Sequence, residues 1–489
     1  MSPLRERVSG TDERLLLGLT VLSSATVLLL LLLAGLLSAF APPFAVRSGY
    51  AAAAIGLGVA LGLAISQWPE LLVYLTLLTV ILDQWERFDL EWIPYLTLSK
   101  LLMALAAALL AIRYVLKREK SPALLFPSAA LAHFPFSLIC LISALAFAYS
   151  PLGALRWLMA PLFLPILSIL LVQFIRDRDT ALQLLKAFAL FSFFPIAVAA
   201  VESVLGRTFG GPAEIVFYGV QDIFRVAGTF ENPNDFVVLM IFSIPLLFLW
   251  AYQTSSWTVR IALLLGAMFQ GLVLMKTYSR SGYLSVGLTL FALVFFARGR
   301  LRRYALGACV LGACAMLLLP DVRDRLLTLA GIRSGEVGLA QAFASISYRK
   351  LLLLAAWSEF LEHPILGIGF SNLGPRARTY STLIHQITAE NTYVQILAEL
   401  GIVGFAAYLF FLGTAWNRMM AGLRAVRGDR RVEPLFVGLA AGYCGFAFNS
   451  LFDTNIPDNM PWVLLAIMVH LSPKILPTEC ATSPTSSAS

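Results

Sequence analysis

The sequence predicts an all-α, polytopic integral membrane protein with about 12–14 transmembrane helices and one long extracytoplasmic loop. Three observations lead there. Of 489 residues, 59% are hydrophobic and only 13% charged, where an ordinary globular chain carries about a quarter charged. The mean hydropathy is +0.81, more than a water-soluble surface can disperse, which excludes a soluble multi-domain enzyme. Apolar stretches near the length needed to cross a bilayer, about 20 residues, recur along the whole chain.

These runs lie near 15–39, 50–66, 70–82, 94–116, 129–149, 155–174, 181–205, 236–252, 258–275, 282–297, 303–319, 391–416, 433–452 and 460–472. The first follows Arg5, Arg7 and Arg14 and precedes Ala39-Phe40-Ala41, which mimics a signal cleavage site. Its apolar stretch exceeds a signal h-region, so it is read as a helix. Cys140, Cys309, Cys314 and Cys444 sit inside apolar runs and Cys480 in the polar tail, without a CxxC pair. They read as small membrane hydrophobes, and four His with five Cys leave no material for a multi-ligand metal cluster.

The net charge of +8 is distributed as topology anchors. With the N-terminus inside, the inner segments hold Arg113, Lys117, Arg118 and Lys120, then Arg176, Arg178 and Lys186, then Arg298, Arg300, Arg302 and Arg303, then Arg418, Arg424, Arg427, Arg430 and Arg431. This is the positive-inside pattern, and cations scattered over many helix ends form no nucleic-acid face.

Residues 320–390 break the pattern as a long outer loop holding Arg323, Arg325, Arg333, Arg349, Lys350, Arg376 and Arg378. Long loops escape the positive-inside rule and are commonly functional. Within it Leu339–Glu362 reads as an amphipathic helix, with Phe343, Ile346, Leu353 and Leu354 apolar and Arg349, Lys350, Glu359 and Glu362 polar. The expected organisation is transmembrane helices over 1–219, a catalytic region over 220–415 that includes the loop, further helices over 416–476, and a Ser/Thr/Pro-rich tail over 477–489.

Three outer segments carry the chemistry. In the first, Arg225 to Phe236, Asn234 or Asp235 is placed to cap the helix that follows, and Arg225 to bind an anion. The second is Lys276-Thr-Tyr-Ser-Arg-Ser-Gly282. Its cations either snorkel to the interface or grip a phosphate, for which the planar fork of Arg280 is suited. The third runs from Tyr348-Arg349 through His363-Pro-Ile-Leu-Gly-Ile-Gly369 to Glu390-Asn391 and on to Gly401. GxG at 367–369 lacks a dinucleotide-fold context and reads as a flexible turn. Glu390 is either a general base or a helix-start charge. Glu399 is either a buried structural partner or part of the same site.

Outward arginines and a carboxylate above helices rich in Phe and Leu suit a substrate with a long lipid and a phosphate-rich head. A polyprenyl-pyrophosphate-linked glycan fits. Glycosyl transfer from it needs cations for the leaving pyrophosphate and a base for the acceptor hydroxyl. A transporter is the rival reading, but it calls for broken helices and paired charges near the midplane, whereas here Glu202 and Glu399 lack obvious partners. A structural scaffold would leave the arginine-rich loop without a role.

The motifs Arg225-x-x-Gly-Thr-Phe-x-Asn-Pro-Asn234, Ser279-Arg-Ser-Gly282, His363-Pro-Ile-Leu-Gly-Ile-Gly369 and Glu390-Asn-Thr-Tyr-x-Gln-x-Leu-Ala-Glu-Leu-Gly401 resemble the O-antigen ligase and O-antigen polymerase superfamily, over residues 220–415. The resemblance implies a metal-independent, inverting membrane glycosyltransferase with no cofactor. It would act on undecaprenyl-pyrophosphate-linked glycans at the outer face of the cytoplasmic membrane, with a glycan or lipid acceptor and, for a polymerase, a chain-length regulator. Arg280 and Arg349 would hold the pyrophosphate with Arg225, and Lys276, Asn234, Asn391, Arg376 and Arg378 line the expected binding surface. Ligase members have His-Asn where this chain has Glu390-Asn391, so either Glu390 is a substitute base, or His385 reaches in, or the step itself differs.

Overall fold

A computed structural model describes residues 71–82, 87–90, 93–97, 130–174, 178–209, 215–218, 221–318, 336–380 and 388–456, with isolated positions at 99, 102, 103, 323 and within 460–467. The chain divides into two compact units, Met1–Leu71 and Leu72–Ser489, and the architecture below belongs to the second. Its helices are α1 (Leu71–Leu82), α2 (Phe134–Phe147), α3 (Pro151–Phe174), α4 (Arg178–Phe191), α5 (Phe193–Leu205), α6 (Pro233–Gln253), α7 (Trp257–Lys276), α8 (Arg280–Phe296), α9 (Gly299–Leu318), α10 (Glu336–Glu362), α11 (Leu373–Tyr380), α12 (Thr392–Ala425) and α13 (Glu433–Asn449). The protein is an all-α polytopic membrane protein. Among the described residues, four helical spans are long and apolar enough to cross a bilayer: Asp179–Leu205, Pro233–Gln253, Trp257–Lys276 and Thr392–Ala425. The runs expected at 15–39 and 50–66, most of 94–116, and the polar tail lie outside the described residues.

Two small hairpins add to the helices. β1 (Arg87–Leu90) pairs antiparallel with β2 (Ile93–Thr97), and β3 (Ile215–Tyr218) with β4 (Gln221–Phe224). The helix expected from residue 94 therefore begins as a strand: Pro94, Tyr95 and Thr97 favour extended chain once a partner strand supplies hydrogen bonds. The single helix expected over 181–205 is two, α4 and α5, meeting at Ser192, whose hydroxyl donates back to the Ala189 carbonyl at 2.7 Å. Such back-bonding bends helices.

α6 is the central helix, buried almost continuously from Phe236 to Leu247. α13 packs along both α6 and α8, and α7 packs on α6. Gly442 and Gly445 of α13 allow this approach: a Cβ at Gly442 would press on the Phe242 ring, and one at Gly445 on the Thr289 hydroxyl. Small residues at helix contacts serve this purpose in membranes, where apolar burial gives no preference for helix over lipid. A polar ladder joins the layers: Ser243 Oγ donates to Gln270 Oε1 at 2.6 Å, and Gln270 Nε2 donates to Ser192 Oγ at 2.7 Å. The outer faces are apolar, with Trp257, Leu265, Met268 and Leu272 of α7 and Phe291 and Phe295 of α8 exposed, the surface a bilayer covers.

The loop between α9 and α12 is folded over its described part. α10 packs on α12 and α11 around Leu352, Ala355, Ala356, Ile368, Leu373, Ala377 and Ala398. Its faces differ from the expected pattern. Leu354 is 55% exposed, beside exposed Trp357 and Leu361, while Glu359 is buried at 1%. The reason is that Leu352, Ala355, Ala356 and Glu359 share the stripe that meets α11 and α12, so the charged Glu359 is carried inward by helical spacing.

α12 is broken at Gly401, where φ is 63° and ψ is −165°. The break frees backbone groups inside an apolar helix, and the 364–369 segment takes them up. Ile368 N donates to Ala398 O and Gly369 N to Glu399 O, both at 2.9 Å, while Ile402 N donates to Pro364 O at 2.9 Å and Val403 N to Ile365 O at 3.3 Å. Gly367-Ile-Gly369 is thus the splint of a broken helix rather than a flexible turn. The two mid-helix carboxylates also have partners, against expectation. Glu202 accepts from the amides of Phe209, Ala227 and Gly228. Glu399 accepts from Ser371 N, Leu373 N and Gln395 Nε2.

Only glycine readily occupies the backbone region of Gly401, and a Cβ there would also meet the Ile365 carbonyl. Gly401→Ala is expected to destabilise the protein by about 1–3 kcal/mol, read as a lowered melting temperature in detergent. An unchanged melting temperature would show that the break can be relieved without penalty.

Candidate functional site

The site forms where three helices begin. Asn232 caps α6, its side chain accepting from Asn234 N at 2.8 Å, so the cap lies two or three residues before the expected Asn234 or Asp235. Asn234 is thereby free to bridge two other segments, because its Oδ1 accepts from Arg225 Nη2 at 3.2 Å and from Ser279 Oγ at 2.8 Å. Ser279 caps α8, accepting from Gly282 N at 3.1 Å. One amide thus binds the Arg225 segment to the segment that opens on Arg280.

Arg225 leaves β4 and crosses the end of α7. Its Nε donates to the Thr277 carbonyl at 2.8 Å, and Val226 N to the Lys276 carbonyl at 3.3 Å. The last carbonyls of a helix are its negative end, so a cation is favoured there. Arg225 is 7% exposed. The Lys276 side chain is exposed, contributing its carbonyl to the arrangement.

Asn391 caps α12, accepting from Tyr393 N and Val394 N at 3.0 Å each, and its Nδ2 donates to Leu451 O at 2.9 Å. Both ends of this amide, expected to contact substrate, are used for architecture. Glu390 stands just before the cap with φ at 53°, a left-handed backbone that costs a non-glycine residue about 1–3 kcal/mol. Tyr278 has φ at 49° just before Ser279-Arg280. The two strained residues thus precede the caps of the helices that present Glu390 and Arg280. Behind Glu390, Ala389 N donates to Gln395 Oε1 at 2.7 Å and Gln395 Nε2 to Glu399 Oε1 at 2.7 Å, so the buried Glu399 holds the approach to Glu390 through Gln395.

Arg349 of α10 reaches this mouth, its Nη2 lying 3.2 Å from Glu390 Oε2. Arg280 is close enough to Arg349 and Arg225 to be repelled by both, and its buried Nη1 has no hydrogen-bond partner. Arg225, Arg280 and Arg349, far apart in sequence, therefore converge. The helix starts of α6, α8 and α12 add their positive ends to the same place, an arrangement that favours a polyanion.

The sequence reading missed Asp453. It lies after α13 in a turn sewn to the start of α12: Thr392 N donates to the carbonyls of Ser450 (2.9 Å) and Asp453 (3.0 Å), and Thr392 Oγ1 to Asp453 O at 2.8 Å. Its carboxyl is 4% exposed and lies among Glu390, Arg349 and Asp235. The available signal was an acid in Asp453-Thr-Asn455, on the same predicted side as Glu390.

The remaining expected residues are drawn elsewhere or lie beyond the described part. Arg376 of α11 pairs with the buried Glu359 at 3.9 Å. Burial pushes the Glu359 carboxyl up, with Arg376 opposing. Glu362 and His363 bring ligating atoms within 4.8 Å of Glu359, a donor set unforeseen from the His and Cys count, though the Arg376 cation already answers Glu359. Arg378 lies on α11 with its side chain outside the described part, and His385 lies outside the described residues. Cys140, Cys309, Cys314 and Cys444 are free thiols.

Residues 261–409 match the family model described as O-antigen ligase. That stretch runs from the first turn of α7 to the middle of α12 and contains Arg280, Arg349 and Glu390, with Arg225 and Asp453 on either side of it. No curated protein matches the chain. The likeness to the O-antigen ligase family is thus carried by residues 261–409.

Proposed function

We propose that the protein is a glycosyltransferase of the cytoplasmic membrane that transfers or polymerises a polyprenyl-pyrophosphate-linked glycan at the outer face. The observation that carries this reading is the convergence of Arg225, Arg280 and Arg349 at the starts of α6 and α8, beside Glu390. A pyrophosphate is the polyanion such a mouth suits, and the apolar faces of α7 and α8 suit a polyprenyl chain. The basic residues support the outer-face reading. Arg427 donates to the Phe296 carbonyl and Gln253 to the Arg431 carbonyl, so the basic ends of α8 and α12 lie opposite the site.

In this mechanism the acceptor hydroxyl oxygen attacks the anomeric carbon and its proton passes to Glu390. The bond from that carbon to the pyrophosphate oxygen breaks, and its electron pair leaves with the pyrophosphate. The arginines stabilise the charge that develops there and serve where a divalent cation otherwise would. Single displacement inverts the anomeric centre. Arg349 acts twice. With the site empty it pairs with Glu390, and an incoming pyrophosphate competes for it and releases the carboxylate.

The test follows release of free polyprenyl pyrophosphate from a polyprenyl-pyrophosphate oligosaccharide by purified protein in detergent. Release with a ladder of longer glycans identifies a polymerase, and release only with a separate acceptor identifies a ligase. No release across several donors would refute the reading. Arg280→Ala and Arg349→Ala are expected to lower turnover by about a hundredfold or more while inserting normally. Arg280→Lys falls as well, because a lysine keeps the charge and loses the fork; full turnover in both alanine variants would sink the pyrophosphate clamp. Glu390→Gln is expected to lose turnover, and full activity in that variant would pass the base to His385.

A further inference from the structure

Asp453 is used by none of the steps above, yet its placement is unfavourable and specific. It sits in the turn after α13, 4% exposed, where its Oδ1 accepts from Thr454 N at 2.9 Å and its carboxyl lies against the Asp235 side chain. Four hydrogen bonds from Asn391 and Thr392 fix that turn to the start of α12: Asn391 Nδ2 to Leu451 O, Thr392 N to Ser450 O and Asp453 O, and Thr392 Oγ1 to Asp453 O. Asn455 N closes the turn by donating to Thr392 Oγ1 at 3.0 Å. The residues that hold Asp453 directly follow Glu390 in sequence, so the two carboxyl groups cannot be moved apart without undoing the start of α12.

We propose that Asp453 is a positioning residue whose charge sets how strongly Glu390 draws the proton of the acceptor hydroxyl. The proposal rests on the transferase reading for its kinetic consequence. The titratable and charged groups facing Asp453 are Glu390 at the start of α12, Arg349 of α10 and Asp235 of α6. Burial, followed by the Glu390 charge, raises the Asp453 carboxyl to about 7, while the Arg349 cation and hydrogen bonds with Thr454 N and the Asp235 side chain oppose the rise. Two carboxylates beside one another do not both ionise readily. Below neutrality the pair carries one negative charge, held on Glu390 by its ion pair with Arg349. As pH rises through neutrality Asp453 ionises, and a second negative charge beside Glu390 strengthens its hold on a proton. The transfer itself remains balanced: the acceptor O–H proton moves to Glu390, the new C–O bond forms and the bond to pyrophosphate breaks.

The experiment has two arms. In the first, turnover of a polyprenyl-pyrophosphate oligosaccharide is followed across pH for the wild type, Asp453→Asn and Asp453→Glu. The wild-type kcat is expected to rise through an inflection near 7. Asp453→Asn keeps a reduced rate but loses the inflection, and Asp453→Glu restores it. A purely structural role would scale the rate at every pH and leave the inflection in place, which would overturn the proposal. So would a folded Asp453→Asn with no turnover at any pH, or a wild-type profile without the inflection, which needs no variant to fold. The second arm needs no activity: infrared difference spectra across neutrality are expected to show a protonated-carboxyl C=O band lost by the wild type that is missing in Asp453→Asn and shifted in Asp453→Glu. Absence of a band with that behaviour overturns the proton on Asp453 whatever the catalytic result. Its presence in a protein inert to every donor leaves the proton on Asp453 standing and removes the transferase reading instead.

Discussion

Three guanidinium groups brought to one end of a helix bundle repel one another, and much of the surrounding structure exists to hold them there. Arg225 is held by the Thr277 carbonyl and the Asn234 amide, Arg349 by Glu390. Arg280 stands at the first turn of α8 with Nη1 buried and unbonded. A cation at the start of a helix is also opposed by the macrodipole. The placement of Arg280 is therefore unfavourable twice over in the empty protein, and an arriving anion relieves both terms.

The same need to pair polar groups governs the apolar interior. A carboxylate or a broken helix within a membrane is tolerated when every freed group finds a partner inside the protein. Glu202 accepts from Phe209, Ala227 and Gly228, which fixes the segment that delivers Arg225. Glu399 accepts from Ser371, Leu373 and Gln395, and through Gln395 steadies Ala389, the neighbour of Glu390. The break at Gly401 lets the 364–369 segment pair with α12, which anchors the folded loop carrying Arg349. Buried polar residues that look isolated in sequence are thus the struts of the mouth.

That difference marks what was legible in the sequence. Local signals carried in part: apolar length gave α6, α7 and α12, but the caps were misplaced, since Asn232 rather than Asn234 or Asp235 caps α6, and Asn391, expected to contact substrate, caps α12. Arg225, Arg280, Arg349 and Glu390 were singled out as chemistry-bearing residues, and the structure brings them together. Long-range pairings were not legible. Nothing in local spacing says that Asn234 joins Arg225 to Ser279, that Glu359 turns inward to Arg376, or that Thr392 binds the distant turn that brings in Asp453. The hairpin ending at Phe224 was hidden for the same reason, since its strands are defined by each other.

The cations at the mouth are partly answered by acids, and that constrains how the proposed site can work. Arg225, Arg280 and Arg349 face Glu390, with Asp453 and Asp235 beside it, so the empty site is not a bare cationic well that any anion would fill. An incoming polyanion has to compete with internal carboxylates, and only one that offers several oxygens in a compact head can replace them. A monoanion engaging one arginine would leave Glu390 and Asp453 without enough compensation. In the proposed transferase, a multiply charged anion that takes Arg349 from Glu390 would leave that carboxylate beside the acceptor, so that binding of the donor head and exposure of the base would become one event. On that reading the acids among the arginines serve as a selectivity element as well as a source of the base.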